Sequence, residues 1–458
     1  MVDQIAITRT VRVAAGVFAP GHLGELTQFI PFEMVDEILA ATRRTQQRIR
    51  LLPARVVVYL VLAGCLFAEL GYGQVWRKLT AGLAGLDLAE PSSGTLREAR
   101  QRLGSAPLRA LFDLLRGPAV TTANHAVRWR GLLVAAIDGT TMSVADAEAV
   151  RARYRKQRGN HGGAGYPALR LSVLLTCGTR SIIDAVFGPI STGELDQAHT
   201  LARSLRAGML LLADRNYAAA DLITTLAATK ADLLIRCKNG RRLPVITRYR
   251  DGSWLSTIGT LRVRVIDAQI TIRTSDGTRT SGYRLITTLL DPHTHPAGEL
   301  IKLYHRRWEI ETAYLEIKSS ILGGRVLRAR TPDGIDQEIY ALLTVYQALR
   351  TAMTDATDSQ PATNPDRASF TTALHTARDQ ITNATGVIAD TVIDLVGAIG
   401  RAVLAHLLPD RRIRVKTRMI KRSNSKYQAR GPNVDRHSYK ATIAIDIITN
   451  HCETPAGP

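Results

Sequence analysis

Tyr304, Arg307, Glu311 and Lys318 lie in the stretch LYHRRWEIETAYLEIK, at successive offsets of 3, 4 and 7. At ~100° per residue a helix brings all four into an arc of roughly 60°. The apolar residues Leu303, Ile310, Ala313, Ile317 and Ile321 fall in a different arc. Packing needs only the apolar stripe. A second stripe with a phenol, a guanidinium, a carboxylate and an ammonium suits a metal ion and a phosphodiester. The plainer alternative is a solvated helix face with i,i+4 pairs such as Arg307–Glu311.

Two further carboxylates end strongly apolar runs. Asp138 closes GLLVAAID and Asp214 closes GMLLLAD. Strand ends beside a switch in topology are where α/β folds place functional groups. An Asp followed by Gly also suits a turn, so Asp138 keeps that alternative. Three carboxylates converging on one point repel one another unless a cation neutralises them. Their hard oxygens suit Mg²⁺ or Mn²⁺. Two such ions about 4 Å apart can activate water or a 3′-hydroxyl and stabilise the leaving oxygen of a phosphodiester. Asp146 and Asp184 are alternative first carboxylates, but neither ends so apolar a strand or precedes a Gly-Thr pair.

The spacing Y-x2-R-x3-E-x6-K, with every position filled, resembles the signature of the IS4-family DDE transposases. LLADRNY around Asp214 resembles that family's second-Asp motif. The resemblance implies that Asp138, Asp214 and Glu311 are catalytic and hold two Mg²⁺ (or Mn²⁺) ions. It implies that Tyr304, Arg307 and Lys318 engage the DNA of the element's ends. Trp308 is placed to stack on a base turned out of the duplex. Arg215, Arg236 and Lys238 look like further DNA contacts, with solvated charge as the alternative for each. Trp254, in DGSWLST, is the candidate for an apolar wedge that fills the gap left by a flipped base. A Trp packed on its own sheet is the competing reading.

The bulk composition agrees with a polyanionic partner. The chain has 458 residues and a net charge of +20, with a pI near 10.2. Such a field favours nucleic acid or an anionic membrane. The longest apolar run, Val56 to Leu70, is shorter than the ~20 residues a membrane span needs and contains Glu69. The start, MVDQIAITRT, lacks the basic and apolar regions of a signal peptide, so the expected location is the cytoplasm, at the nucleoid. Cys65, Cys177, Cys237 and Cys452 form no CxxC pair, and free thiols are expected rather than zinc or disulfides.

Helical periodicity runs from Phe18 to about Gly117, with Pro53 in a first helical turn and Ser105 as an N-cap. At Gly131 the pattern changes. GLLVAAID reads as a strand, Gly139-Thr140 as a turn, and TMSVAD as its hairpin partner. A basic, Gly-rich loop follows over 151–168, where Arg151, Arg153, Arg155, Lys156 and Arg158 could meet phosphates. His161 within it reads as a loop residue with no metal role. LRLSVLLTCG and SIIDAVFG are strands, 196–207 a helix, GMLLLAD a strand and AAADLITTLAAT a helix. DLLIRCK, LPVITRY, LRVRVID, QITIRT and YRLITTL then read as strands separated by Asn239-Gly240, Asp251-Gly252 and Asp276-Gly277. The helix with Glu311 spans about Ala297 to Leu322, and further helices lie near 334–353, 367–381 and 388–408. Residues 411–430 hold nine basic and no acidic residues, a block suited to DNA contact or to a solvated tail.

The expected fold is α/β: an RNase H-like core over 126–328 with a β-rich insertion at about 230–292. An all-α N-terminal domain that binds the DNA end fills 1–125, and C-terminal helices with a basic tail fill 329–458. The function implied is a cut-and-paste DNA transposase acting through a hairpin intermediate. Its partners would be terminal inverted repeats, target DNA and a second copy of the chain, in a dimer or higher assembly. The rivals are an RNase H-like host nuclease and a domesticated DNA-binding protein without catalysis. A glycosidase with paired acids accounts for neither the charge nor the Arg and Lys beside Glu311.

Overall fold

The structure is a computed structural model. It describes residues 22–46, 52–83, 88, 90–119, 125–156, 158–159, 162–163, 165–360, 363–383, 396–409, 414–416 and 438–448. The helical start comprises α1 (Phe32–Ala41), α2 (Ala54–Leu66), α3 (Tyr72–Thr80), α4 (Ser93–Leu103) and α5 (Ala106–Leu115). α2 is the long apolar run, and nearly every residue in it is buried. Pro53 stands one position outside it as the N-cap, with an extended backbone. Ser105 is the N-cap of α5, yet its hydroxyl accepts no N–H from its own helix and instead donates to Asp333 Oδ1 at 2.6 Å. No helix among the described residues is long and apolar enough to cross a membrane.

The sheet begins with β1 (Arg128–Trp129) and the twelve-residue β2 (Leu132–Ser143). After α6 (Glu148–Arg153) come a two-residue pair, β3 (Arg158–Gly159) and β4 (Gly162–Gly163), then β5 (Ala168–Thr176) and β6 (Ile182–Pro189). α7 (Glu194–Leu201), β7 (Met209–Ala213), α8 (Ala220–Ala228) and β8 (Asp232–Cys237) complete the core. β9 (Thr247–Arg248), β10 (Trp254–Ile258), β11 (Leu261–Thr274) and β12 (Gly277–Thr287) follow. Strand order is β6-β5-β2-β7-β8-β12-β11-β10-β9. β6, β5 and β2 are antiparallel neighbours, and β2, β7 and β8 run parallel. This is the order of an RNase H-like core.

Two expectations change here. First, Gly139-Thr140 makes no turn. β2 continues straight through it, with Asp138 opposite Val173 and Gly139 opposite Ser172, and its hairpin-like partner is β5. A long partner strand supplies ladder hydrogen bonds on both sides of the glycine, and those outweigh its turn preference. Second, the strands within the β-rich insertion regroup. β12 pairs with β8, so the insertion widens the core sheet. LRVRVID and QITIRT form one strand, β11, and of LPVITRY only Thr247–Arg248 is a strand.

α9 (Ala297–Tyr304), α10 (Glu309–Leu315), α11 (Pro332–Asp358), α12 (Phe370–Thr382) and α13 (Gly397–Ala405) follow. β13 (Arg414–Lys416) pairs with β14 (Ser438–Lys440), and β15 (Thr442–Ile447) joins the sheet on β11. One hydrophobic core unites α1–α5, one face of the sheet, α9–α10 and α11–α13. A second core fills the other face, under α7 and α8. The N-terminal helices are thus packed into the same core as the C-terminal ones and are not an independent layer.

The helix expected from Ala297 to Leu322 tightens to a 3₁₀ turn at His305–Trp308 and widens to a π turn at Glu316–Ile321. In the wide turn Glu316 is buried, paired with Arg180 (3.2 Å) and Arg350, and accepts from the Tyr346 hydroxyl at 3.1 Å. π turns of this kind mark functional segments. Glu316→Ala would leave two buried guanidiniums short of a counter-charge, a loss of about 3 kcal/mol or more. Urea denaturation of both proteins checks this. A loss under about 1 kcal/mol would mean that water already compensates the arginines.

Candidate active site

The parallel register sets Ile137 of β2 opposite Ala213 of β7. Asp138 and Asp214 are the next residue on each strand, so they stand side by side at one sheet edge. Asp138 Oδ1 accepts the Gly139 N–H at 2.9 Å. Asp214 caps a single 3₁₀ turn, Arg215–Tyr217, its Oδ1 accepting the Arg215 N–H at 2.6 Å.

The segment from Tyr304 to Lys318 lies over this edge and is pinned to both strands. The Tyr304 hydroxyl donates to the carbonyl of Ala213 at 3.2 Å, and the Tyr314 hydroxyl to the carbonyl of Asp138 at 2.6 Å. Lys318 Nζ donates to Thr140 Oγ1 (3.1 Å) and the Thr141 carbonyl (2.9 Å). Arg307 fills the middle. Its guanidinium is 3.2 Å from Glu311 Oε1 and 3.8 Å from Asp138 Oδ2, with 9% of the side chain exposed. Burial works against the Arg307 charge. Tyr304, Asp214, Asp138 and Glu311 together outweigh it and raise its pKa. Two of the three expected carboxylates, Asp138 and Glu311, therefore meet at one guanidinium, and Asp214 acts on it electrostatically.

A fourth carboxylate, absent from the sequence reading, approaches from the opposite side. Glu194 opens α7, and a Cβ on Gly139 would sit 2.6 Å from its Oε1. Only glycine admits that approach. Tyr217 donates to the same Oε1 at 2.9 Å. Glu194, Tyr217 and Tyr314 had no periodic or motif signal, because only the tertiary fold brings them here. Burial pushes Asp138 up to about 6, assisted by Glu194 and Glu311 and opposed by the Gly139 N–H and Arg307.

The donor set is all hard oxygen and fits a divalent ion. Burial is the main cause of the raised Asp138 pKa, and a bound cation would offset the cost of ionising that carboxylate. Among the described residues no three His, Cys, Asp or Glu side chains are gathered tightly enough to hold an ion together, since Arg307 lies between Asp138 and Glu311.

The remaining expected residues divide. Trp308 is 53% exposed beside the site, with Arg307 Cζ 5.9 Å from its ring. Arg215 and Lys238 are exposed, and Arg236 stacks on Tyr283 at 3.8 Å. Tyr304 is buried, its hydroxyl committed to the backbone, so it is not presented to a ligand in this conformation. Trp254 does not project as a wedge. It is 7% exposed and packs in the sheet's second core, with Arg284 over its ring at 5.5 Å. Asp146 is held by Arg151 and Lys156, and Asp184 by Arg203, Ser204 and Arg116, so both alternatives are structural. Arg153 pairs with Asp336 at 2.8 Å. Cys65, Cys177 and Cys237 are free and buried. His161, Cys452 and most of 411–430 lie outside the described residues.

An RNase H-like sheet with three acids at one edge defines a DDE-type phosphodiester-processing protein. The family described as Transposase DDE domain matches residues 129–348, and that described as Insertion element 4 transposase N-terminal matches residues 20–113. The transposase InsG for insertion sequence element IS4 of Escherichia coli (strain K12) is 25% identical over 88% of this chain and 93% of its own. The putative transposase InsZ of the same strain is 27% identical over 43% of this chain and 66% of its own. Among solved structures, a piggyBac transposase synaptic complex with hairpin DNA shows a looser likeness, with TM-score 0.42 and 11% identity over 84% of this chain and 85% of that one. The chain belongs to the IS4 family of DDE transposases. That family generally uses divalent metal ions.

Asp138 offers a direct check. Its folded pKa lies above the ordinary value of 3.8, so its contribution to stability is present below about pH 4 and fades as pH rises through 6. Above that, the ionised carboxylate costs on the order of 2 kcal/mol. Asp138→Asn should therefore raise the melting temperature in EDTA at pH 7.5, and the gain should vanish by pH 4. A gain independent of pH would contradict the burial account.

Proposed function

We propose that this protein is an active transposase that cuts and joins the DNA ends of its own element. The observation that carries the reading is the pairing of Asp138 and Glu311 with Arg307 at the end of β2, beside Asp214 at the end of β7. Asp138, Asp214 and Glu311 would hold two divalent ions, Mg²⁺ or Mn²⁺. When bound, these would supply the Lewis acidity that activates the attacking oxygen and stabilises the leaving one.

Arg307 supplies positive charge to the carboxylates until DNA and metal arrive, and then turns its guanidinium to the scissile phosphate. Tyr304 and Tyr314 hold the helix at the height of the two aspartates. Lys318 fixes the backbone after Asp138 and places an ammonium beside the DNA path. Arg215, Lys238 and Arg236 contact phosphates along the same edge. Trp308 offers the exposed ring on which a displaced base stacks. That ring favours a route in which the released 3′-hydroxyl attacks the opposite strand, giving a hairpin that water later opens. Terminal inverted repeats and target DNA are the substrates, and a dimer would align two ends.

Incubating the protein with linear DNA carrying its gene's own flanks, with Mg²⁺ or EDTA, tests this. Metal-dependent cuts at the element ends are expected, with loss of at least about 100-fold in Glu311→Ala. A slow-migrating hairpin on denaturing gels fixes the route. Binding without cutting would sink the catalytic claim and leave a domesticated binder. Cutting at random positions would leave a nuclease.

A further inference from the structure

Past the C-terminal end of β8, the loop Asn239–Val245 borders a cavity of about 550 Å³, closed on its other side by Arg248, Trp254 and Arg284. β8 runs parallel to β7, so this cavity opens at the same sheet edge as Asp214. It lies on the opposite face from α10. Trp254 belongs to the core under α7 and α8, whereas Ile310, Ala313 and Ile317 belong to the other core. It is thus distinct from the carboxylate site.

Its lining combines four arginines with apolar Leu243, Pro244, Val245 and Trp254. Arg241, Arg242, Arg248 and Arg284 border it, and none of its lining residues is acidic. Two of the four arginines are already engaged. Arg284 forms a two-point pair with Asp267 (2.7 and 2.6 Å) and reaches the Arg241 carbonyl (2.8 Å). Arg241 donates to the Ala218 carbonyl. The side chains of Arg242 and Arg248 are exposed and have no hydrogen bond or ion pair among the described residues.

The second observation is the floor. Trp254 is more than nine-tenths buried and its indole Nε1 is shut off from the cavity, so the floor offers its ring and no donor. The donors are the arginines, which have no acceptor of their own and ask for an oxyanion. Exposed Val245 at the rim would face the apolar sugar of a nucleotide.

We propose that this cavity seats a backbone phosphate of the DNA strand that crosses the sheet edge beside Asp214. Arg242 and Arg248 neutralise it above the Trp254 ring. Exposed Arg215 follows Asp214 directly, and exposed Lys238 follows β8. The DNA then wraps the edge of the sheet, with one contact on each face. The assignment rests on the transposase reading for its choice of DNA over other oxyanions.

The test measures binding, not cutting. Fluorescence anisotropy of the full chain in EDTA, with labelled duplex from the gene's flanks, is titrated from low to high salt. Each phosphate contact adds about 0.9 to the slope of log K against log salt. The Arg242→Ala/Arg248→Ala protein should lose about one unit of slope and about tenfold in affinity at moderate salt. Arg242→Lys/Arg248→Lys should keep the slope, which separates charge from folding. Unchanged affinity and slope in the alanine protein would overturn the proposal, while metal-dependent cutting by the unaltered protein would leave the transposase reading standing. Stabilisation by millimolar inorganic phosphate that needs Arg242 and Arg248, with DNA binding unaffected, would also overturn it in favour of a small-anion site.

Discussion

The parallel pairing of β2 with β7 is the constraint on which the rest depends. It sets Ile137 against Ala213 and so delivers two aspartates, 76 residues apart in sequence, to adjacent positions on one edge. Strand pairing alone would leave them facing open solvent. Two phenols convert the edge into a site. Tyr304 takes the carbonyl before Asp214, and Tyr314 takes the carbonyl of Asp138 itself. Glu311 lies between those two tyrosines on the same segment, so its position is set by backbone contacts on both sides.

The site so built carries charge that would repel itself. Arg307 is the resident answer, buried among Tyr304, Asp214, Asp138 and Glu311. Burial nevertheless holds the Asp138 pKa near 6, with Glu194 and Glu311 as smaller contributors. A buried carboxylate is costly in a fold that stands alone and useful in one that must recruit cations. The π turn that follows is held by its own buried ions, Glu316 with Arg180 and Arg350, which tie the catalytic segment to β6's approach and to α11.

Much of this was legible in sequence, for physical reasons that differ by element. GLLVAAID and GMLLLAD are buried on both faces, so they read as continuous apolar runs and their terminal aspartates stood out. The Tyr304–Lys318 spacing survived because an α-helix, a 3₁₀ turn and a π turn still keep one face toward the sheet. Gly139 misled because glycine next to aspartate usually turns, whereas here it is extended and serves Glu194. That the insertion's strands continue the core sheet is something no local pattern reveals. Glu194, Tyr217 and Tyr314 were invisible for the same reason: single residues acquire a role only from neighbours far away in the chain. Trp254 packs on its own sheet, the stronger of the two readings its strand position allows.

The central claim is that these carboxylates are arranged for a divalent cation, with Arg307 as a resident counter-charge. Mn²⁺ titration followed by electron paramagnetic resonance, on the full chain bound to DNA from its gene's flanks, addresses it most directly. The account predicts saturable binding at pH 7.5 that weakens below pH 6 as Asp138 takes up its proton, and that is lost in Glu311→Gln and Asp138→Asn. Binding that is absent, or that is the same in those variants, would contradict it.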